Sequence, residues 1–291
     1  MTGKLDLHIH TSASDGSDSP GELARKVRER GLTLFSVTDH DTIDGALAME
    51  ALVPEGVGYI RGVEFSCLFP GGKCHILGYG YDPEHPAFRA ALTEGAELRR
   101  EKLRRRLDHL REKFGIEFTR EELCWLSSRK SPGKPHLGKL LMERGLAADM
   151  NTAIKTYLSG VPGRDRIEAQ TAINAIRASG GIAVWAHPLG GEGERRLTEQ
   201  ELEDRLERLL AMGIQGLECL YSRYTRTESG LLLSHARSHG LLVTGGSDYH
   251  GFHKKGIKLG QLGAETWNWS IDTAPLSGII LQNPNESATP G

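Results

Sequence analysis

The chain has few of the features that mark membrane, secreted or nucleic-acid-coating proteins. Only four of its 291 residues are cysteine, and their scattered spacing suggests neither a disulfide framework nor a cysteine zinc site. No apolar run approaches the roughly 20 residues that a membrane helix needs. The net charge of −2 gives no support for a surface that coats nucleic acid. Because the first strand pattern begins within MTGKLDLHIH, we expect no signal peptide and a cytoplasmic location.

The first informative pattern is LDLHIHTSASDG, residues 5–16, in which His8 and His10 lie two positions apart in an alternating apolar run. Side chains alternate between the faces of a strand, so both imidazoles project from one face. Two neighbouring imidazoles add little to packing but suit a metal ion, and Asp15 follows them closely. The alternative is one buried, hydrogen-bonded histidine and one exposed histidine.

The same chemistry recurs downstream, where ligand-type side chains accompany further strand-like apolar segments. These side chains are His40, Glu64, His75, His187, Asp248 and His250. Zn²⁺, Mn²⁺ and Fe²⁺ accept this mixture of imidazole and carboxylate without any thiolate. Together with His8, His10 and Asp15, the set predicts a multinuclear metal centre.

The ordered motifs DLHIHT, TDHD, GVEFS, the histidine after PGGK, AHP and GSDYHG resemble the PHP (polymerase and histidinol phosphatase) phosphoesterases. The resemblance covers roughly residues 4–260. Within the family, the chain is most similar to the stand-alone bacterial members that act on nucleotides. It implies an α/β fold, namely a distorted (β/α)₇ barrel with a helical insertion domain. It also implies two or three divalent metal ions (Mn, Fe or Zn) and phosphate-ester hydrolysis by metal-activated hydroxide.

The helical patterns divide the chain into a barrel, an insertion and a tail. We expect the barrel at 1–90 and 168–270, a helical insertion at 91–167 that covers the metal site, and a polar tail at 271–291 whose last dozen residues are mobile. A capping box at Ser19 and Glu22 predicts a helix that Gly31 ends. Only ten residues separate Glu64 from His75, which is too few for a crossover helix, so their strands should form a hairpin.

The resemblance also suggests how the ligands are shared among the ions. One ion would be held by His8, His10, Glu64 and Asp248, a second by Glu64, His75 and the neighbourhood of His187, and a third by Asp15, His40 and His250. We place His187, Asp248 and His10 among the catalytic residues. His187 acts either as a ligand or as the general acid for the leaving group. Asp6 shares the strand face of His8 and is expected to support a ligand.

Substrate contacts are expected in three loops. Lys134 stands where relatives often have an arginine, and His136 serves either a phosphate or the start of a helix. Arg164 lies where relatives usually have a tyrosine. Either Arg164 supplies the phosphate contact, or the substrate of this chain differs from that of the relatives. Ser222 contacts sugar or base, or belongs to the loop surface, and His253 lies close to the SDYH segment. The arginine-rich helix around residues 96–114 invites a nucleic-acid role, but its interleaved acidic residues favour a solvated face.

Several functions are compatible with these motifs. The leading hypothesis is a metal-dependent phosphoesterase acting on small nucleotide-like or sugar phosphates, such as a nucleoside 3′,5′-bisphosphate or a cyclic phosphate. The alternatives are a 5′–3′ exoribonuclease on short RNA, an amidohydrolase or deaminase, and a non-catalytic nucleotide-binding module. The expected partner is therefore a small phosphorylated substrate or short RNA, with no membrane. The oligomeric state is left open.

Overall fold

The described strands form a single sheet that curls into a nearly closed barrel. The computed structural model describes residues 4–70, 72–129, 131–164, 166–191, 195–264 and 271–281. The strands are β1 (Lys4–Ile9), β2 (Leu32–Val37), β3 (Gly58–Phe69), β4 (Gly72–Tyr79), β5 (Ile167–Glu168), β6 (Ile182–Trp185), β7 (Gly216–Tyr221) and β8 (Leu242–Gly246). The α-helices are α1 (Pro20–Arg30), α2 (Asp44–Glu50), α3 (Pro86–Phe114), α4 (Arg120–Ser127), α5 (Lys134–Glu143), α6 (Met150–Tyr157), α7 (Ala169–Ala178), α8 (Glu199–Ala211) and α9 (Arg226–Ser238).

The strand order explains both the barrel and its distortion. The order is β1-β2-β3-β4-β6-β7-β8, with the two-residue β5 paired to β3. The strands along this path are parallel except β4, which is antiparallel to both of its neighbours. The predicted hairpin of β3 and β4 is therefore confirmed. An α/β barrel with a helical insertion confirms the predicted fold class, while β5 was not anticipated.

The first and last strands meet at a seam that closes the barrel. The amide of His10 donates to the carbonyl of Tyr249 at 2.9 Å, and the amide of Asp248 donates to the carbonyl of His8 at 2.8 Å. A Cβ atom at Gly246 would lie 2.2 Å from the Cβ of His8. Glycine is therefore required where β8 approaches β1.

Helix α1 begins and ends as its sequence predicts. Ser19 Oγ accepts the amide of Glu22 at 3.3 Å, and the Glu22 carboxylate accepts the amide of Ser19 at 2.8 Å. Gly31 ends the helix in the left-handed region with a φ of 66°. The helix buries Leu23 and Val27 against the sheet cluster that contains Ile9 and Val37.

Helix α3 contributes to two apolar clusters. Near its start, Phe88 and Ala91 belong to the large cluster of the sheet and its covering helices. Further along, Leu103 and Leu110 belong to a second cluster with residues of α4, α5 and α6. The predicted domain boundary at residue 91 thus falls within a continuous helix, and the division into domains stays a prediction.

The segment 271–281 packs on the barrel. Leu276 is fully buried, and the amide of Leu281 donates to the carbonyl of Tyr59 at 2.7 Å. Residues 282–291, which contain most of the tail predicted to be mobile, lie outside the described residues. Among the described helices, none combines the length and the apolar composition needed to cross a membrane.

Candidate metal centre

Glu64 is the hub on which the predicted ligand side chains converge. It lies in β3 with 1% of its surface exposed. Its Oε2 atom is 3.3 Å from His8 Nε2, 3.1 Å from His10 Nε2 and 3.0 Å from His40 Nδ1. His8 lies in β1 and His10 just after it, while His40 follows β2. Two neighbouring strands and the residues after them therefore direct three imidazoles at one carboxylate oxygen.

The other oxygen of Glu64 faces two more imidazoles. Oε1 is 2.8 Å from His75 Nδ1 and 3.1 Å from His187 Nε2. His75 pairs with Ser66 across the hairpin, and Ser66 shares the strand face of Glu64 because it lies two residues further on. The hairpin thus returns His75 to the site, as its length predicted.

Asp248 contributes one carboxylate oxygen to the same cluster. Its Oδ1 is 3.6 Å from His8 Nε2 and 3.4 Å from His10 Nε2. Its Oδ2 accepts a hydrogen bond from Tyr221 Oη at 2.9 Å and pairs with Lys254 Nζ at 2.5 Å. Because Tyr221 and Lys254 hold Oδ2, Oδ1 is oriented toward the imidazoles.

Asp15, His40 and His250 lie together at the remaining side of the cluster. Asp15 Oδ1 is 3.3 Å from His250 Nε2, and Asp15 Oδ2 is 3.8 Å from His40 Nε2. His250 Nδ1 lies 2.9 Å from the carbonyl oxygen of Asp248, an acceptor, so Nδ1 carries the proton and Nε2 is free to bind a cation. The nine predicted side chains therefore meet in one place, and their role as ligands stays a prediction.

The ligand atoms form overlapping groups whose members lie within 4.8 Å of one another. Within the described residues, the groups at this centre are His8 with His10 and Asp248; His10 with Asp15, His40 and His250; and His40 with Glu64 and His75. His10 and His40 each belong to two groups, unlike in the assignment that the family resemblance suggests. His187 belongs to none of these groups but contacts Glu64 and lies 3.1 Å from His75. The assignment of ligands to individual ions stays a prediction.

Four buried atoms at the centre lie close to one another but make no hydrogen bond with any described residue. They are His8 Nε2, His10 Nε2, His40 Nδ1 and Glu64 Oε2. A buried polar atom without a partner costs about 1–3 kcal/mol, so four together need an explanation. Divalent cations bound by imidazole and carboxylate would satisfy all of them. The residues present therefore fit divalent metal ions.

The charges at the centre are strongly coupled. Burial raises the pKa of Glu64, but the neighbouring imidazoles of His40, His75 and His8 outweigh it and hold that pKa well below its usual range. Burial likewise opposes the charge of Asp248, yet Lys254 and the imidazoles lower its pKa. The carboxylates therefore remain ionised and provide the negative charge that a divalent cation requires.

Glu218 in β7 supports two of these residues without joining the cluster. Its Oε1 is 2.9 Å from His8 Nδ1, and its Oε2 accepts the amide of His187 at 2.7 Å. His187 and Asp248 both have positive φ angles, 31° and 56°, directly after their strands. Non-glycine residues rarely adopt this conformation, so the surrounding hydrogen bonds must hold it.

Asp6 bonds the backbone beside two of the candidate ligands, and its supporting role stays a prediction. Its carboxylate accepts Ser247 Oγ at 2.5 Å, the backbone amides of Ser247 and Gly260, each at 2.8 Å, and the backbone amide of His8 at 3.3 Å. Burial raises the pKa of Asp6 to about 6 despite these donors. Asp6 therefore fixes the turn that carries Asp248. Asp39 similarly accepts hydrogen bonds from Thr11 and Ser14.

Two of the predicted substrate residues lie beside the centre. His253 Nδ1 donates to the carbonyl of Asp15 at 2.8 Å. His136 Nδ1 accepts the amide of Gly133 at 3.1 Å, so it serves the start of α5. A Cβ atom at Gly133 would lie 3.9 Å from the Cβ of Asp15, which places the start of α5 against the metal ligands.

The other predicted substrate residues have less direct positions. Arg164 is half exposed and pairs with Glu94 at 2.7 Å. Ser222 is buried, and its hydroxyl has no hydrogen-bond partner among the described residues. Lys134 is the first residue of α5 and is partly exposed. Their substrate contacts stay predictions.

Several residues at the centre were not predicted, among them Tyr221, which bonds Asp248. Glu218 and Lys254 contact predicted ligands. A sequence signal could have identified each of them, because Glu218 lies near a strand end and Lys254 lies six residues after Asp248. Arg99 of α3 donates to Asp41 and to Ser66 Oγ, the latter at 2.9 Å. Nothing distinguished Arg99 from the other arginines of its helix.

The comparisons with known proteins agree with this geometry. Residues 6–93 match the family model of the PHP domain. Over 262 residues, the chain is 32% identical to the 3′,5′-nucleoside bisphosphate phosphatase of Chromobacterium violaceum, covering 88% of this chain and 90% of that relative. The chain belongs to the PHP family. Another PHP relative is the 5′–3′ exoribonuclease of Haemophilus influenzae, 32% identical over 266 residues, with 90% of this chain and 94% of the relative covered.

Solved structures show the same fold. A Chromobacterium violaceum protein described as an amidohydrolase, with bound sulfate and no metal, has a TM-score of 0.82 and 28% identity over 98% of this chain and 99% of that one. A Bifidobacterium adolescentis protein, provisionally described as a metal-dependent phosphoesterase, has a TM-score of 0.79 and 25% identity over 94% of each chain. The PHP chain is therefore a phosphoric ester hydrolase that uses divalent metal ions.

Proposed function

We propose that this PHP enzyme releases phosphate from small nucleotides, with a nucleoside 3′,5′-bisphosphate as the leading substrate and a cyclic phosphate as a related one. The observation that carries the proposal is the buried Glu64 carboxylate with five imidazoles within 3.3 Å of its oxygens. The bisphosphate phosphatase that is 32% identical over nearly its whole length supports this substrate class.

The nine converging side chains would hold two or three divalent ions of manganese, iron or zinc. They are His8, His10, Asp15, His40, Glu64, His75, His187, Asp248 and His250. Metal ions bound in such a cluster neutralise the charge of a phosphate ester and make water a better nucleophile at neutral pH. The carboxylates contribute the charge, and Lys254 and Tyr221 keep Asp248 oriented.

His187 would serve either as one of these ligands or, instead of ligation, as the donor of the proton to the departing nucleotide oxygen. Burial lowers the pKa of His187, but the hydrogen bond and charge of Glu64 raise it overall, so the imidazole can carry a proton near neutrality. Glu218 holds the backbone of His187 through its amide.

Lys134, His136 and His253 would face the phosphate from the side of α5 and Asp15, while Arg164 and Ser222 would make more distant contacts with the substrate.

A second candidate function is 5′–3′ removal of nucleotides from short RNA. The Haemophilus influenzae relative, an exoribonuclease, supports it at the same level of identity. The two activities would use one centre and differ in the length of the nucleotide chain attached to the reacting phosphate. The cytoplasmic location expected from the sequence stays a prediction.

A substrate panel separates these functions. Purified, metal-analysed protein is assayed for phosphate release from adenosine 3′,5′-bisphosphate, AMP and a cyclic phosphate, for nucleotide release from 5′-phosphorylated RNA, and for ammonia release from AMP. We expect phosphate release from the bisphosphate, loss of turnover and of metal in Asp248→Ala and His10→Ala, and neither loss in Asp204→Ala on the exposed face of α8. Ammonia release without phosphate release, or wild-type rates in either site variant, would overturn the proposal.

A further inference from the structure

A cavity of about 320 Å³ opens beside the candidate metal centre and extends beyond the ligand side chains. His75 and His187 form one of its walls, so it begins at the side of Glu64 that carries Oε1. The rest of its lining comes mainly from the start of β4, the end of β6 with the loop after it, and α8. A molecule held at the metal ions could therefore extend into this cavity without leaving the protein surface.

The cavity is lined by cationic side chains. Lys73, Arg166, Arg195 and Arg205 all contribute to it, and its described lining contains no aspartate or glutamate. Arg195 is neutralised by Glu201, with bonds of 2.9 and 2.6 Å. The charges of the other three have no carboxylate partner among the described residues. A cavity with this composition favours an anion.

Arg166 lines the cavity together with the candidate ligands His75 and His187. Its Nη1 makes one long bond of 3.4 Å to the carbonyl of Cys74, and its buried Nε has no hydrogen-bond partner among the described residues. Arg166 and His75 line the same cavity, together with Cys74. Most donors of this guanidinium are therefore available to a ligand.

Arg205 of α8 also lines the cavity, and its guanidinium has defined neighbours. Its guanidinium carbon lies 5.4 Å from the centre of the Phe69 ring. A Cβ atom at Gly72, whose φ is 148°, would lie 3.3 Å from its Nη2, so the glycine leaves room for the guanidinium. Trp185 and Leu197 complete the lining with apolar surface, which suits an organic phosphate better than a bare ion.

We propose that this cavity is a subsite for a second phosphate group of the substrate, held by Arg166, Arg205 and Lys73 while the first phosphate is hydrolysed at the metal centre. The inference rests on the proposed function and adds the reason for a preference between substrates. The second phosphate has two sources, the other end of a nucleoside bisphosphate or the next phosphodiester of an oligonucleotide.

The test compares substrates with and without a second phosphate. Wild-type protein, Arg166→Gln, Arg205→Gln and Lys73→Gln are assayed with adenosine 3′,5′-bisphosphate, AMP and a 5′-phosphorylated RNA trinucleotide. Loss of one charged hydrogen bond should raise the KM for the bisphosphate about tenfold or more, while kcat and the KM for AMP change less than about twofold. Arg208→Gln is the matched control, because Arg208 lies on the same helix but bonds the carbonyl of Pro70 outside the lining.

Each outcome has a distinct meaning. A rise in KM for the bisphosphate alone assigns the subsite to a small substrate, and a rise for both the bisphosphate and the RNA assigns it to a phosphate of either source. Equal effects on AMP, or no effect in any variant, would overturn the subsite while the proposed function stands. A wild-type protein that releases phosphate from none of the substrates would instead refute the proposed function. Lys73→Gln changes an exposed residue and keeps the test usable if a buried arginine variant does not fold.

Discussion

Glu218 provides the sharpest test of how the chain supports its metal centre. The residue is fully buried and accepts two hydrogen bonds, one from the His8 ring and one from the His187 amide. A carboxylate accepts with both oxygens, whereas the amide of glutamine has one accepting oxygen and one donating nitrogen. In Glu218→Gln, one of the two donors therefore faces another donor.

The expected magnitude comes from that mismatch. A hydrogen bond to a charged group contributes about 1.5–3 kcal/mol, and each 1.4 kcal/mol corresponds to a tenfold change in an equilibrium constant. Residues that orient metal-bound histidines typically change metal affinity by about 10–100-fold when they are replaced, which agrees with this range. We expect Glu218→Gln to bind metal about 10–100-fold more weakly than the wild type.

The assay is a metal titration of the chelator-treated protein, followed by recovered phosphatase activity and by metal content after gel filtration. Glu207→Gln, an exposed residue of α8, is the matched control and should behave as the wild type. Thermal unfolding of both variants separates a local effect from a general loss of structure. A Glu218→Gln protein with the wild-type titration midpoint would refute the role assigned to this carboxylate.

The remaining predictions concern stability. Burial lowers the pKa of His136 from 6.5 to about 4. Between pH 6.5 and pH 4 the unfolded chain therefore binds a proton at this residue that the folded chain does not bind. The free energy of unfolding should consequently fall by about 3 kcal/mol from pH 7 to pH 4. Urea unfolding of His136→Gln should show a shallower decline, and an identical slope would contradict this account. Arg99→Ala removes the cation that pairs with the buried Asp41 carboxylate and should lower the free energy of unfolding by about 3–5 kcal/mol. Arg100→Ala, which changes an exposed arginine of the same helix, is the control, and equal stabilities of the two variants would contradict this prediction. Gly246→Ala forces a Cβ atom against His8, so it should lower the free energy of unfolding by about 1–3 kcal/mol and weaken metal retention. Gly230→Ala, whose Cβ atom would meet no neighbouring atom, should do neither. Unchanged stability and metal retention in Gly246→Ala would show that the seam is not tightly packed.

Much of the fold could be predicted because local signals and strand periodicity agree. The capping box of Ser19 and Glu22 and the terminator Gly31 define α1 in both sequence and structure. The hairpin could be predicted from chain length alone, since ten residues leave no room for a crossover helix. The two-residue β5 could not be predicted, because a pair of residues carries no periodicity and forms only by pairing with β3.

Most candidate ligands could be predicted because they follow a strand or lie near its end, whereas Glu64 and His75 lie within β3 and β4. Strand ends of a barrel meet at one edge, so residues as distant as His8 and Asp248 were expected together. Their supporting residues could not be assigned in the same way. Arg99 reaches Asp41 and Ser66 from α3 through tertiary contacts, which no sequence period marks.

Asp6 shows why face periodicity is insufficient inside this barrel. On an ideal strand, Asp6 and His8 would project side by side, and a contact between their side chains would be natural. The register of β1 against β2 shifts between Asp6 and Ile9, and the Asp6 carboxylate accepts the backbone amide of His8, together with donors from Ser247 and Gly260. A register irregularity of this kind depends on the neighbouring strand and cannot be read from the strand itself.

Barrel closure and assembly of the metal centre are the same event in this chain. The seam joins β1 to β8 through the amides of His10 and Asp248, so the hydrogen bonds that close the sheet also place candidate ligands from the two ends of the chain side by side. Gly246 permits the close approach, and Asp6 fixes the turn after it. Since the seam residues make backbone bonds and candidate ligand contacts together, a change that opens the barrel must also separate the imidazoles from Asp248. Metal binding should therefore stabilise the closed barrel, because ions that bridge both sides of the seam bind the folded chain and not the unfolded one.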